Sequence, residues 1–251
     1  MKKYGIVIPA FNEELSIAKT LREISIYIST LREDIVIFLV DDGSTDGTYK
    51  IVKALQLQNV FVVKLESNQG YGGAIREGIK IAKKHQIDYV VIMDSDLTNP
   101  LNEVPRMFEK IEKADLIKAS RFLESSNMSN VSNQRKIFSI IGNRILHILF
   151  KSEVLDVTNG FRAWKVDSYL QLPRTSNGFS SIVEEFYFAK IAGMKIGEVP
   201  SILGNRTEGQ RKTSASYSIK SIWQYLRPGV FFFFQKYTKI RFKPEFKFDD
   251  K

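Results

Sequence analysis

Asp94 and Asp96 stand one residue apart in "VVIMDSDLTNP" (90–100), where an apolar run gives way to a polar loop. Two carboxylates this close at the edge of a core repel each other unless donors or a cation compensate. A hard divalent ion such as Mg2+ or Mn2+ does so, because it accepts carboxylates, water and phosphate oxygens together. It would hold a nucleoside diphosphate leaving group against the pair. An Asp-x-Asp ended by proline is by itself also an ordinary solvated turn. Three further polar or Gly-rich stretches accompany it: "PAFNEE" (9–14), "DDGSTDGT" (41–48) and "SNQGYGGA" (67–74). In the second, Asp41 or Asp42 can accept hydrogen bonds from a nucleobase or ribose, while Asp46 or Ser44 can cap a helix. In the third, glycines either form turns or let backbone N–H groups approach a diphosphate at a helix start. The stretch matches neither GxxxxGK[ST] nor a GxGxxG after the first strand, which argues against ATPases and dinucleotide enzymes.

These stretches follow apolar runs that read as strands: 4–9, 34–40, 60–65, 88–93 and 115–120. Most are apolar on both faces, as a helix-covered parallel sheet requires. Between them, Leu15, Ala18, Leu21, Ile24, Ile28 and Leu31 keep helical spacing, as do Ala74, Ile75, Gly78, Ile79 and Ala82. Repeated strand–helix units predict a doubly wound α/β sheet with its chemistry at the carboxyl ends of the strands. The four loops fall at those ends. The chain of 251 residues, 43% hydrophobic, can bury a substantial core. With no cysteine and only His85 and His147, thiolate and histidine-rich metal sites are excluded, and any metal relies on oxygen ligands. The net charge of +9 favours anionic partners. "MKKYGIVIPAFNEE" reads as neither signal peptide nor anchor, so a cytoplasmic location is expected.

Taken in order, "VIPAFNEE", "VDDGSTDGT", "NQGYGGAIREGI", "MDSDLTNP", "ASRF", "DVTNGFRAWK", "EEFYFAKIAGMKIGEVP" and "RTEGQRK" resemble the family 2 inverting glycosyltransferases of GT-A fold. The resemblance is to their dolichol-phosphate mannose synthase and polyprenyl-phosphate hexosyltransferase group, over roughly residues 3–215. It implies a GT-A, mostly parallel sheet flanked by helices and metal-dependent transfer of a hexose from a GDP- or UDP-sugar to a lipid phosphate. It places the donor against Pro9, Phe11, Glu13, Asp41 or Asp42, Gly70 and Arg76, and makes Asp94 and Asp96 the metal ligands. Arg121, Arg135 and Arg206 become acceptor-phosphate cations, Arg211 and Lys212 donor-side cations, and Glu184 a residue near the acceptor. The chain departs from the pattern at Thr98, where the group usually has Gln, at Arg211 in place of Ser, and at Asn159 where Ser is more usual. Asp156, Asn159 and Arg162 are expected in the acceptor-side scaffold, and Glu184 and Glu185 at the start of an amphipathic helix.

Such chemistry needs no strong base, because a phosphate monoester has a second pKa of about 6 and is largely dianionic at neutral pH. It needs orientation of that phosphate and neutralisation of the leaving diphosphate. Residues 206–251 carry eleven Lys/Arg against four Asp/Glu among many aromatics. The longest unbroken apolar run, "VFFFF", is far short of the ~20 residues a spanning helix needs. A catalytic domain over 1–215 and a basic aromatic segment over 216–251 are therefore expected. Either the segment lies in a membrane interface, with Lys236, Lys239, Arg241 and Lys243 meeting anionic lipid, or its phenylalanines pack into the core. "IFSIIGNRILHILF" (137–150) poses the same choice. A nucleic-acid partner is not expected, since no such motif accompanies the positive charge, and the sequence assigns no oligomeric state.

Overall fold

The computed structural model of the protein describes residues 2–31, 34–124, 126, 133–202, 223, 226–228 and 230–232, with backbone alone at 133–135. Seven strands form one sheet in the order β3-β2-β1-β4-β6-β5-β7. The strands are β1 (Tyr4–Ala10), β2 (Ile35–Asp41), β3 (Val60–Lys64), β4 (Tyr89–Ile92), β5 (Leu116–Ser120), β6 (Arg162–Lys165) and β7 (Ile196–Pro200). β6 alone runs against its neighbours, β4 and β5; the other pairings are parallel.

The helices are α1 (Ile17–Ser29), α2 (Thr48–Leu55), α3 (Gly70–Lys84), α4 (Val104–Ile111), α5 (Asn133–Phe150), α6 (Val166–Leu170) and α7 (Ser181–Ile191). The period of two along the strands sorts side chains into two core layers. Ile6, Ile8, Ile37, Leu39 and Val91 pack with Ile17, Leu21 and Ile24 of α1 and Met107 and Phe108 of α4. Val7, Phe38, Val40, Val90 and Ile92 pack on the other face with Ile75 and Ile79 of α3, Leu146 of α5 and Phe186 of α7. Gly78 lets α3 settle onto β1, since a Cβ there would lie 2.5 Å from a Val7 methyl.

The five expected strands form with ends moved by one residue, and the sheet is mostly parallel. The sequence pattern missed β6 and β7. Both are short, and the Arg162 and Glu198 side chains interrupt their apolar runs. The helix expected to bury Leu15 begins at Ile17 instead and leaves Leu15 79% exposed, because 13–16 is tied down as a loop by Ser16 and Ile17 amides on the Glu13 carbonyl. The α7 helix is not amphipathic in its first half: Ile182, Val183, Glu184, Glu185 and Phe186 are all buried.

Candidate active site

Because β6 is antiparallel, its first residue, Arg162, pairs with Ile92 at the end of β4. One sheet edge thus collects the ends of β1, β2, β4 and β5 and the start of β6. The first two loops are stitched to each other. Asn12, at φ 55, donates its N–H to Ser44 Oγ at 2.9 Å and accepts the Thr45 N–H at 2.9 Å. Glu13 N–H donates to Thr48 Oγ1 at 2.7 Å and Glu14 accepts the Gly47 N–H at 2.8 Å. Asp46 accepts the Thr48 N–H at 2.9 Å in a turn just before α2, whose N-cap position is taken by Gly47 where Asp46 or Ser44 was expected. Glu13 also accepts the Ser16 hydroxyl, Pro9 is partly buried at the end of β1, and Phe11 stays 40% exposed beside this lacework.

Asp41 and Asp42 divide their work. Asp42 accepts the Gln69 N–H at 2.7 Å and so ties β2 to the start of α3. Burial pushes its carboxyl up to about 6, partly opposed by the Gln69 and Gly70 amides. Asp41 is fully buried; one oxygen accepts the Ser44 N–H at 3.0 Å, while Oδ2 has no hydrogen-bond partner among the described residues. A buried acceptor left open is costly, so an incoming N–H or O–H donor is favoured at the end of β2.

The Gly-rich stretch has a different use from the phosphate cradle that its composition allows. The Gly70 N–H donates to Asn68 Oδ1, and the Gly72 N–H to the Asn177 carbonyl at 2.6 Å. A Cβ at Gly72 would lie 2.5 Å from the Ser176 carbonyl oxygen, and one at Gly70 2.7 Å from that of Asn177. Glycine is required because the 175–181 connection is seated directly on the start of α3. Arg76 clamps the same connection, donating to the Thr175 and Ser176 carbonyls at 3.0 Å each and to Asn177 Oδ1. Its guanidinium thus binds the protein's own carbonyls at the position where the resemblance puts the donor. Glu184 joins from α7, with one oxygen accepting the Ser176 N–H at 2.6 Å and the other buried without a partner among the described residues. Burial raises its pKa, with the Ser176 bonds opposing.

Asp94 follows β4, and its N–H donates to Asn99 Oδ1 at 2.9 Å. Asp96 accepts the Thr98 N–H at 3.1 Å and the Thr98 hydroxyl at 2.6 Å, closing a turn around Leu97 at φ 54. Thr98 therefore orients Asp96, a service its short side chain performs where a longer amide is usual. Across from Asp94 lies Gly160: a Cβ there would meet the Tyr71 hydroxyl at 3.0 Å and Asp94 Oδ1 at 3.8 Å. Tyr71, which sequence reasoning overlooked, stacks on Phe179 at 4.6 Å and links α3, the acidic pair and Arg162, which donates to its hydroxyl at 3.4 Å. Its phenol is held above the usual range by burial and then by Asp94. Among the described residues no third His, Asp or Glu joins the pair. Two carboxylates fit an ion that draws its remaining ligands from water and phosphate.

Where the resemblance puts the acceptor, Arg121 presents Nε and Nη2 to Asp156 at 2.7 and 2.8 Å, and Nη2 also donates to Thr158 Oγ1 at 2.9 Å. Burial alone would raise the Asp156 carboxyl, but Arg121 overrides it and holds the group below its ordinary value. Asn143 of α5 donates to Thr158 Oγ1 at 2.9 Å and accepts the Val157 N–H at 2.8 Å, fastening α5 to the same loop. Arg162 and Glu185 form a fully buried bidentate pair at 2.7 and 2.9 Å. Arg135 lies in α5, its side chain outside the described residues; Arg206, Arg211 and Lys212 are outside them altogether. Phe232 of the C-terminal segment is buried, stacked on Tyr187 of α7 at 3.9 Å.

A mostly parallel sheet with acids at the ends of β2 and β4 and one antiparallel strand inserted beside β4 is the GT-A architecture of glycosyltransferases. The chain belongs to Glycosyl transferase family 2, whose pattern matches residues 5–172. It is 28% identical over 229 residues to the undecaprenyl-phosphate mannosyltransferase of Micrococcus luteus, covering 89% of this chain and 93% of that one. It is also 28% identical to the dolichol-phosphate mannosyltransferase of Pyrococcus furiosus, over 90% of this chain but 62% of that enzyme's length. Among solved structures it is similar to glucosyl-3-phosphoglycerate synthase from Mycobacterium tuberculosis, in complex with Mn2+, uridine diphosphate and phosphoglyceric acid. That likeness has a TM-score of 0.65 at 22% identity, over 91% of this chain and 78% of that one.

Proposed function

We propose that this glycosyltransferase moves a hexose, mannose or glucose, from a GDP- or UDP-sugar to a polyprenyl or dolichyl phosphate at the cytoplasmic face of a membrane. The observation that carries the lipid acceptor is the joint between α5 and Arg121. The helix exposes Ile137, Phe138, Ile140, Ile141 and Ile148, by 39 to 66%. Asn143 on the same helix bonds Thr158, which in turn holds Arg121. An apolar face thus stands beside a cation suited to a phosphate. The helix carries basic residues and no acid, which favours an anionic lipid surface. Among the described residues no helix is long and apolar enough to cross a membrane, so the contact is peripheral. The catalytic unit is taken as 1–215 and the basic aromatic segment as 216–251, with Phe232 anchored on α7.

The donor's base or ribose satisfies Asp41 Oδ2 beside Phe11. Asp94 and Asp96 would hold Mg2+ or Mn2+, which would supply charge neutralisation to the departing diphosphate. The acceptor phosphate, oriented by Arg121 with Arg135 and Arg206, attacks the anomeric carbon through one oxygen. The bond from that carbon to the diphosphate oxygen breaks with inversion, and the nucleoside diphosphate leaves with its electron pair. The dianionic nucleophile carries no proton to remove, so Glu184 serves orientation through Ser176. A soluble acceptor is the second reading, favoured by the phosphoglyceric acid in the similar solved structure.

The test incubates the purified chain with Mn2+ or Mg2+, GDP-mannose, UDP-glucose and related donors, and either undecaprenyl phosphate, dolichyl phosphate or 3-phosphoglycerate. Glycosylated lipid phosphate is expected; product from 3-phosphoglycerate alone selects the second reading. Asp96→Ala should lower turnover by about 100-fold or more while the far-ultraviolet circular dichroism is kept. Near-normal activity in that variant would sink the metal assignment.

A further inference from the structure

Lys118 is a cation placed inside β5 and fully buried. In the sheet it pairs directly with Arg162, also fully buried, and like charges opposite each other destabilise a sheet. Arg162 is answered by Glu185 and the Gly160 carbonyl. Lys118 has one bond, Nζ donating to the Asn159 carbonyl at 2.5 Å, and no carboxylate at ion-pair distance among the described residues. Around it, the guanidinium groups of Arg121 and Arg162 are matched by Asp156 and Glu185. Glu198 of β7, paired with Lys118 from its other side, adds a third carboxylate, which accepts the Leu155 and Asp156 N–H groups, so without Lys118 three carboxylates face two guanidiniums and the site repels a phosphate.

We propose that Lys118 is a positioning residue whose ammonium charge, acting through the Asn159 carbonyl and the Asp156–Arg121 pair, offsets that excess of carboxylate and so lets a phosphate monoester dianion settle on Arg121. The proposal rests on the phosphate-acceptor reading above. The Lys118 amine is pushed down to about 7, first by burial and then by Arg162, with Asp156 and Glu185 opposing and Arg121 adding to the depression. Those groups face it from β6, from the loop before β6, from α7 and from the end of β5, and Glu198 faces it from β7. Near neutral pH the proton is therefore divided between bound and free. A dianion arriving at Arg121 favours the protonated amine, and by linkage the protonated amine favours the dianion.

The experiment is calorimetric titration of the full chain with farnesyl phosphate, a short soluble polyprenyl phosphate, in buffers of unequal ionisation enthalpy between pH 6.5 and 9. Wild type and Lys118→Met are compared, with UDP and GDP titrated as donor-side controls. Wild type is expected to take up a fraction of a proton that Lys118→Met does not. The variant should bind farnesyl phosphate about 5-fold more weakly at pH 6.5, a gap that narrows by pH 9, with nucleoside diphosphate affinity equal in both. Equal proton uptake and equal pH dependence in two proteins that both bind farnesyl phosphate overturns the role of Lys118 and leaves the acceptor reading standing. A wild type that binds UDP or GDP but no farnesyl phosphate overturns the acceptor reading and this proposal with it. Should Lys118→Met fail to fold, wild-type affinity that is flat from pH 7 to 9, where the ligand is already dianionic, overturns the proposal.

Discussion

Asp42 shows how one buried acid serves the fold at an electrostatic cost. Its carboxylate accepts the Gln69 N–H, but burial raises its pKa from 3.8 to about 6. Between those values the unfolded chain is ionised while the folded one still holds the proton, so this group's contribution to stability falls as pH rises from 3.8 to 6 and stays reduced above. Asn keeps an oxygen for Gln69 and cannot ionise. Asp42→Asn should therefore gain about 1 kcal/mol on wild type between pH 4 and pH 7, discounted for solvent screening. Urea denaturation of both proteins at the two pH values measures it, and a constant difference would refute the ionised penalty.

At the scale of elements, the site is held by seams between loops and helices. The start of α3 and the 175–181 connection meet so closely that Gly72 has no room for a methyl: 2.5 Å from the Ser176 carbonyl and 2.7 Å from Ser181 Cβ. Alanine would gain up to about 1 kcal/mol of helix preference, less in a first turn, against overpacking of about 1–3 kcal/mol. Gly72→Ala should lose stability on balance, seen as a lower denaturation midpoint with unchanged slope. The seam between α5 and the acceptor loop is Asn143, bonded to Thr158 and to the Val157 N–H. Asn143→Ala frees Thr158 and loosens Arg121, so the KM for lipid phosphate should rise about 5-fold or more while the donor KM stays level. Parallel loss of both would instead mark general unfolding.

The whole molecule sets an apolar, acid-free helix face beside the edge proposed to take the acceptor phosphate. The α5 face leaves Ile137, Ile141 and Ile148 at least half exposed, at 54, 50 and 66%. Substituting all three with serine removes roughly 2–5 kcal/mol of apolar contact from a lipid interface and little from the core. Co-sedimentation with anionic vesicles should fall by at least 10-fold, with the melting temperature within a few degrees of wild type. Full vesicle binding by the triple variant would move the membrane contact away from α5.

The amino-acid sequence by itself determined the strands β1 to β5, the placement of polar loops at their ends, and the acids Asp41, Asp42, Asp94 and Asp96. These are local consequences of period-two burial and of loops too polar to enter a core. It also carried the family, through motifs whose order is specific where each alone is weak. Tertiary structure decided the rest. Nothing local announced that the strand beginning at Arg162 would invert and slot between β4 and β5, because "RAWK" is too short for a period and its charge finds compensation only in Glu185, 23 residues away. The glycines of 70–73 looked fit for a phosphate and instead seat a distant connection, since which acceptor an amide meets depends on packing. Lys118 had a visible signal, a lysine inside an otherwise apolar run. What faces it, a buried arginine on one side, Glu198 on the other and a single carbonyl, is a matter of sheet register.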